Sequence, residues 1–379
     1  MDNETILANA RIVLADAVVE GAVGIVGGRI AEILPGRLTG GTDLAGDLLL
    51  PGLVELHTDQ IEGHHHPRSS VVWNDMAAIQ AHDGQIATSG ITTVFDAMRV
   101  GTDENTRSDA ETVARLATAL DRAAAEGRLR ADHFLHLRCE VSADDVIDGF
   151  DLLKDNPRLR LVSLMDHAPG QRQFHDLGKL KAYLADKFGM DDAAFEAFAA
   201  ARIAQSQKNA APHRRAIAAE CRRRSIALAS HDDATLAHVE ESIALETLIA
   251  EFPTSVAAAS ASREAGMKVL MGAPNVVRGG SHSGNVSAIE LLRAGLLDIL
   301  SSDYVPFSLI QAVFALAETG AVSLPAATRL AATNPAAAVG LTDRGIIDAG
   351  MRADLIRVAH TPGEPPVVRS VWREGRRVA

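Results

Sequence analysis

Short runs of Val, Ile, Leu and Ala recur along the middle of the chain. Each stops at a histidine or a carboxylate: LVELHTD, FLHLRCE, LVSLMDH, IALASHD and LLDILSSD. A strand buried on both faces reads as such a continuous apolar stretch, because neither side alternates with polar positions. The pattern predicts strands near 53–57, 91–96, 133–139, 160–166, 225–230, 247–251, 267–272 and 297–302. Ala-rich amphipathic segments between them, over 109–127, 239–249 and 286–296, supply crossover helices. Eight strands with intervening helices imply an α/β fold, a (β/α)8 TIM-type barrel. An open doubly wound sheet is the competing arrangement, and no GxGxxG follows any strand to support it.

Both ends of the chain are patterned differently. The first fifty or so residues break into short β-rich pieces with Gly turns such as Gly27-Gly28, and the tail repeats the style with turns at Gly350 and Gly375. We therefore expect a small β-sandwich domain formed by both termini, residues 1–50 with 345–379, and a barrel over 51–344. About sixty residues separate His167 from His231, far more than one helix and its loops need. The excess, about 171–223, reads as an insertion of two or three helices, suited to a lid, an interface or an outer decoration.

The chain has 379 residues, 47% hydrophobic and 23% charged, a balance ordinary for a soluble globular protein. Its formal net charge of −12 argues against nucleic acid and anionic membranes as partners, while leaving room for a small polyanion held by local cations. No apolar run approaches the roughly 20 residues of a membrane span, and the start carries acidic residues with no basic n-region. Two unpaired cysteines, Cys139 and Cys221, fit reduced thiols, so a cytoplasmic location is expected.

Side chains just past the carboxyl ends of parallel strands line the mouth of a barrel, where such enzymes keep their chemistry. That places His57, Asp59, Glu140, His167, His231 and Asp303 on one rim. The nitrogen/oxygen set suits one or two divalent ions, with Zn, Mn, Fe or Mg all compatible. His57 and Asp59 are two apart, so in strict β geometry both reach one ion. Glu140 could bridge two ions, His167 and His231 suit the second, and Asp303 could both ligate and take the proton of an attacking water. The tract His64-His65-His66 lies beside Pro67 with no strand to fix it; His65 and His66 read as exposed loop. His82, Asp83, His133, His136 and His238 read as packing or local hydrogen-bonding residues.

A second cluster lies in VLMGAPNVVRGGSHSGNVSA. Asn275, Arg278, Ser281, His282 and Ser283 stand in a Gly/Ser loop before a helical segment, where backbone N–H groups and a cation favour phosphate. Arg138 and Arg172 add fork-shaped donors near the same rim.

These residues resemble the amidohydrolase superfamily, in which a (β/α)8 barrel carries metals at its strand ends and both termini build a small β domain. The usual His-x-His of the first strand is here His57-x-Asp59. The strings LVSLMDHAPGQRQF, IALASHDDAT, AEFPT, LMGAPNVVRGGSHSGN and LLDILSSDY are similar to one branch of it. That resemblance implies metal-dependent hydrolysis of a small anionic sugar phosphate, alpha-D-ribose 1-methylphosphonate 5-triphosphate, to the 5-phosphate and diphosphate, in phosphonate breakdown. Metal-activated water would attack the α-phosphorus, with Asp303 accepting its proton. Hydrolysis of a C–N bond, common in the superfamily, is the alternative. A homodimer is the assembly expected.

Overall fold

The computed structural model describes residues 4–68, 70–103, 106, 108–172, 178, 181, 191–281 and 284–379. The N-terminal segment forms β1 (Thr5–Val13), β2 (Val18–Val26), β3 (Arg29–Pro35), β4 (Thr42–Asp43) and β5 (Leu48–Pro51). The tail adds three more strands, and the eight make one sheet. Gly52 is the joint where the chain leaves that sheet for the barrel: a Cβ there would lie 2.2 Å from Thr92 Oγ1. Only glycine leaves room there for the Thr92 side chain.

The barrel strands are β6 (Leu53–Thr58), β7 (Ile91–Val100), β8 (Asp132–Glu140), β9 (Leu159–Met165), β10 (Ala227–His231), β11 (Ile249–Glu251), β12 (Lys268–Gly272) and β13 (Ile299–Ser301). Neighbours pair in chain order, all parallel. The ring closes through a parallel bridge from Thr58 to Asp303, with Asp303 N–H donating to the His57 carbonyl at 3.0 Å. The buried Glu55 ties the same seam, accepting from Ser301 Oγ and Ser302 N–H, each at 2.5 Å. The tail strands are β14 (Leu355–Ala359), β15 (Val367–Arg373) and β16 (Arg376–Arg377), and β14 pairs antiparallel with β5.

Val54, Leu56, Phe95, Leu161, Ile249 and Leu270 belong to one buried cluster, so the barrel is packed beneath its rim and is not a pore. This is the barrel the apolar runs predict. Several helices begin where a polar side chain satisfies a free N–H. Around the first half lie α1 (Gln60–His65), α2 (Asp75–Thr88), α3 (Ala110–Ala125) and α4 (Val146–Leu153). Asn74 caps α2 and Asp109 caps α3. Among its described residues the insertion contributes α5 (Asp192–Arg224), a helix of 33 residues that continues through Pro212. Its polar face docks on the loops after β8 and β9: Asn209 Nδ2 donates to the Ser142 carbonyl at 2.9 Å, and Arg214 pairs with Asp166 at 3.0 Å. The helix expected over 239–249 is α6 (Leu236–Ala244), set earlier by its Thr235 cap. Then come α7 (Val256–Glu264), α8 (Ala273–Val277) and α9 (Ala288–Arg293).

Among the described residues no helix is long and apolar enough to cross a membrane. Cys139 and Cys221 are buried free thiols.

Candidate active site

His57 and Asp59 meet, though not by strict β geometry. The pairing register shifts between Glu55 and Thr58, and Asp59 has turned out of the strand (φ −89°, ψ 8°) to begin α1. Asp59 Oδ1 still lies 3.4 Å from His57 Nε2, and Asp303 completes a group whose ligand atoms fall within 4.8 Å of one another. A second such group is His167, His231 and Asp232. Asp232 Oδ2 is 3.5 Å from His231 Nε2 and 4.0 Å from His167 Nε2. The His57 and His231 rings stack with centroids 5.6 Å apart, so the groups adjoin.

Buried carboxylates aim these rings. Glu251, at the end of β11, places Oε1 3.1 Å from His57 Nδ1 and Oε2 3.1 Å from His231 Nδ1. Glu140 Oε2 is 2.7 Å from His167 Nδ1 and 2.9 Å from Arg99. An ionised carboxylate only accepts, so each Nδ1 carries its proton and Nε2 is the atom each ring turns toward a ligand. Glu140 therefore groups with His167 and Asp103, not with His57. Here it orients an imidazole.

The electrostatics favour a cation. Burial pushes Asp303 up to about 7, and the charge of Asp59 adds to the effect. Burial works against charge on His57, but Glu251 and then Asp59 outweigh it and hold the ring up to about 10, so without an ion Nε2 also carries a proton, at the position a metal cation would take. Burial also opposes charge on Asp59, yet Arg138 and His57 keep its carboxyl well below the usual range. Three imidazole nitrogens fixed toward carboxylate oxygens form a donor set that fits a divalent ion.

Backbone geometry at the rim is unusual. Asp232, Phe252 and Asp303, each following a strand, have φ of +58°, +52° and +54°. Non-glycine residues there carry strain of roughly 1–3 kcal/mol each, and such residues gather at functional sites. Phe252 packs edge-on against His57 and His231, with centroids at 5.1 and 5.3 Å. Gly272 makes room for the carboxylate of Asp303: a Cβ would sit 3.3 Å from Oδ2.

A cavity of about 270 Å³ opens over these groups, with Asn275, Arg278, Ser281 and Asn285 on its wall. Asn275 Oδ1 accepts from Ala288 N–H at 3.0 Å and so also braces the loop. The helix after this loop, α9, has only six residues, and its Ser287 cap takes the N–H of Glu290. His282 and Ser283 lie outside the described residues. Arg138 lines the cavity and donates to Asp59 Oδ1 at 2.7 Å. Arg172 does not face the cavity. It is 2% exposed and pairs with Asp233 and Glu241, its partners lying far along the chain.

His65 also departs from expectation: it is fully buried at the end of α1, 2.9 Å from Asp75 Oδ1. His82, His133 and Asp83 join Asp96 in a buried network between α2 and the barrel. His136 is held by the Leu56 carbonyl and Ser163 Oγ. The residues missed from sequence are Asp232 and Glu251. Asp232 directly follows His231, and Glu251 ends a predicted strand with the same apolar-to-carboxylate switch as the others.

The chain matches the family described as Amidohydrolase family over residues 76–379. The alpha-D-ribose 1-methylphosphonate 5-triphosphate diphosphatase of Escherichia coli (strain K12) is 45% identical over 377 residues, covering 98% of this chain and 100% of that protein. Among solved structures, N-acetyl-D-glucosamine-6-phosphate deacetylase from Mycobacterium smegmatis superposes with a TM-score of 0.64 at 16% identity, covering 99% of this chain and 100% of that one. An enamidase superposes with a TM-score of 0.62 at 16% identity, covering 99% and 96%. At such identities these structures share the fold alone.

Proposed function

The chain belongs to the amidohydrolase family, and from that premise we propose that it hydrolyses alpha-D-ribose 1-methylphosphonate 5-triphosphate to the 5-phosphate and diphosphate. It is a metal-dependent hydrolase acting on a phosphoric anhydride. One observation carries the reading: a single cavity is lined by His57, Asp303, His167, His231 and Asp232 beside the Arg278 loop, with Asp59 3.4 Å from His57 Nε2 at its edge. The identity to the diphosphatase over the whole of both chains supports the choice of substrate. A polyphosphate also suits the donors on the wall better than an uncharged amide would.

The two groups would hold one or two divalent ions, of which Zn, Mn, Fe and Mg all suit the donors. Such ions supply charge neutralisation of the phosphates and acidify the attacking water. His57 and Asp59 fix one position, and His167, His231 and Asp232 the other. Glu251 and Glu140 hold the imidazoles so that Nε2 is the atom turned toward an ion. Asp303 takes the proton of the attacking water, a role that suits a carboxylate placed beside His57 and Asp59 at the mouth of the barrel. Arg278, Ser281 and Asn275 receive the departing diphosphate, and Arg138 stands near the α-phosphate.

The test is removal and return of the ion. Protein stripped by a chelator is expected to release no diphosphate from the ribosyl triphosphate, and added Zn or Mn to restore release, followed by phosphorus NMR. Undiminished turnover after complete stripping would overturn the reading.

A further inference from the structure

A second cavity, of about 330 Å³, adjoins the first; Arg138 and Tyr304 line both. Its remaining wall comes from the start of α1 and from β7, and includes Asp59, Gln60, Glu62 and Arg99. The chemistry of the two chambers differs. Apart from the Asp232 and Asp303 carboxylates, the polar wall of the first is Asn275, Arg278, Ser281 and Asn285, all donors to an anion, together with Arg138 and the imidazoles.

In the second chamber Arg138 and Arg99 are paired with Asp59, Glu140 and Asp103, and the groups left open are acceptors. Glu62 is half-buried, and among the described residues its carboxylate takes one long hydrogen bond, from Arg99 N–H at 3.4 Å. A carboxylate has about four acceptor positions, so most of its capacity is left. Gln60 donates its amide N–H to the Tyr304 carbonyl, which leaves the amide oxygen as an acceptor. A polyphosphate placed against Glu62 would meet like charge. A neutral group rich in O–H donors would not.

Resting on the activity argued above, we propose that this second chamber is the glycosyl site. The pentose ring lies there, its hydroxyls donating to Glu62 and to the Gln60 amide oxygen. The triphosphate runs the other way, along the Arg278–Ser281 wall, which brings the α-phosphorus to the junction of the chambers beside Asp59 and Asp303. Arg99, on the same wall as Glu62, is already paired with Glu140 and Asp103, so the ring hydroxyls carry the recognition. Glu62 is then a specificity-determining residue, selecting a hydroxylated ring over a bare triphosphate.

The experiment compares kcat/KM for the ribosyl 5-triphosphate and for methyl triphosphate, in the wild type and in Glu62→Ala. Loss of charge-assisted hydrogen bonds predicts that the preference for the ribosyl substrate falls about 10- to 100-fold in the variant. The inhibition constant of diphosphate, which probes the other chamber, should move by less than about twofold. An unchanged preference, or equal losses on both substrates, would overturn the proposal. Should Glu62→Ala not fold, the wild type decides through a 2,3-dideoxyribosyl triphosphate: a kcat/KM equal to that of the hydroxylated substrate overturns it, and a loss of about tenfold or more upholds it. Wild-type turnover of no triphosphate at all would remove the activity itself and this proposal with it, whereas turnover without selectivity removes the proposal alone.

Discussion

Glu251 is the residue on which the geometry of the centre turns. One carboxylate, fully buried, accepts from two imidazoles that belong to different strands and to different cation groups. Glutamine has the same shape but one acceptor oxygen and one donor nitrogen, so it cannot serve both Nδ1–H groups. Glu251→Gln is expected to weaken metal binding by about 10- to 100-fold, measured by chelator competition. Affinity equal to that of the wild type would show that the clamp does not matter. Asp303 acts differently, on the proton. Asp303→Asn is expected to lower kcat by about 10²- to 10⁴-fold with a smaller change in KM, and a drop confined to KM would count against its role as base.

At the scale of elements, α2 is joined to the barrel by ionisable groups: Asp96 on β7 bonds His82 at 2.7 Å and His133 at 2.8 Å, and Asp83 reaches His133 at 3.3 Å. Burial opposes charge on His133, but Asp96 and Asp83 outweigh it and raise the ring to about 9. The folded state therefore binds this proton more tightly than the unfolded chain, whose histidine titrates near 6.5. The stabilisation is complete below about pH 6.5 and fades as pH rises through about 9, a span on the order of 3 kcal/mol. Denaturant unfolding should show the gap between wild type and His133→Gln narrowing over that window. A constant gap would mean that His133 is neutral when folded. This network illustrates what the sequence hides. His57, His167, His231 and Asp303 stand out because residue type changes abruptly where a buried strand ends. The burial of His65 depends instead on Asp75, and that of Arg172 on Asp233 and Glu241, partners that only the folded chain brings near. Glu251 showed the strand-end signal, but on a strand of only three residues.

For the whole molecule, the parallel barrel was legible because its strands are apolar on both faces and its crossover helices are amphipathic. The terminal sheet was legible because Gly turns break both ends of the chain into short β pieces. The seam between β6 and β13 was not, since Glu55 meets Ser301 and Ser302 across nearly 250 positions. Nor does spacing alone choose among reactions, because a His/carboxylate centre can serve attack on carbon or on phosphorus. Closure of that seam sets Asp303 beside His57 and Asp59, facing the wall of Arg278, and this juxtaposition points to attack at the α-phosphorus. Turnover of the ribosyl triphosphate in ¹⁸O-labelled water, read by the isotope shift in phosphorus NMR, tests it most directly. The label should appear in the ribosyl 5-phosphate and be absent from the diphosphate; label in the diphosphate, or release of single phosphates only, would contradict the account.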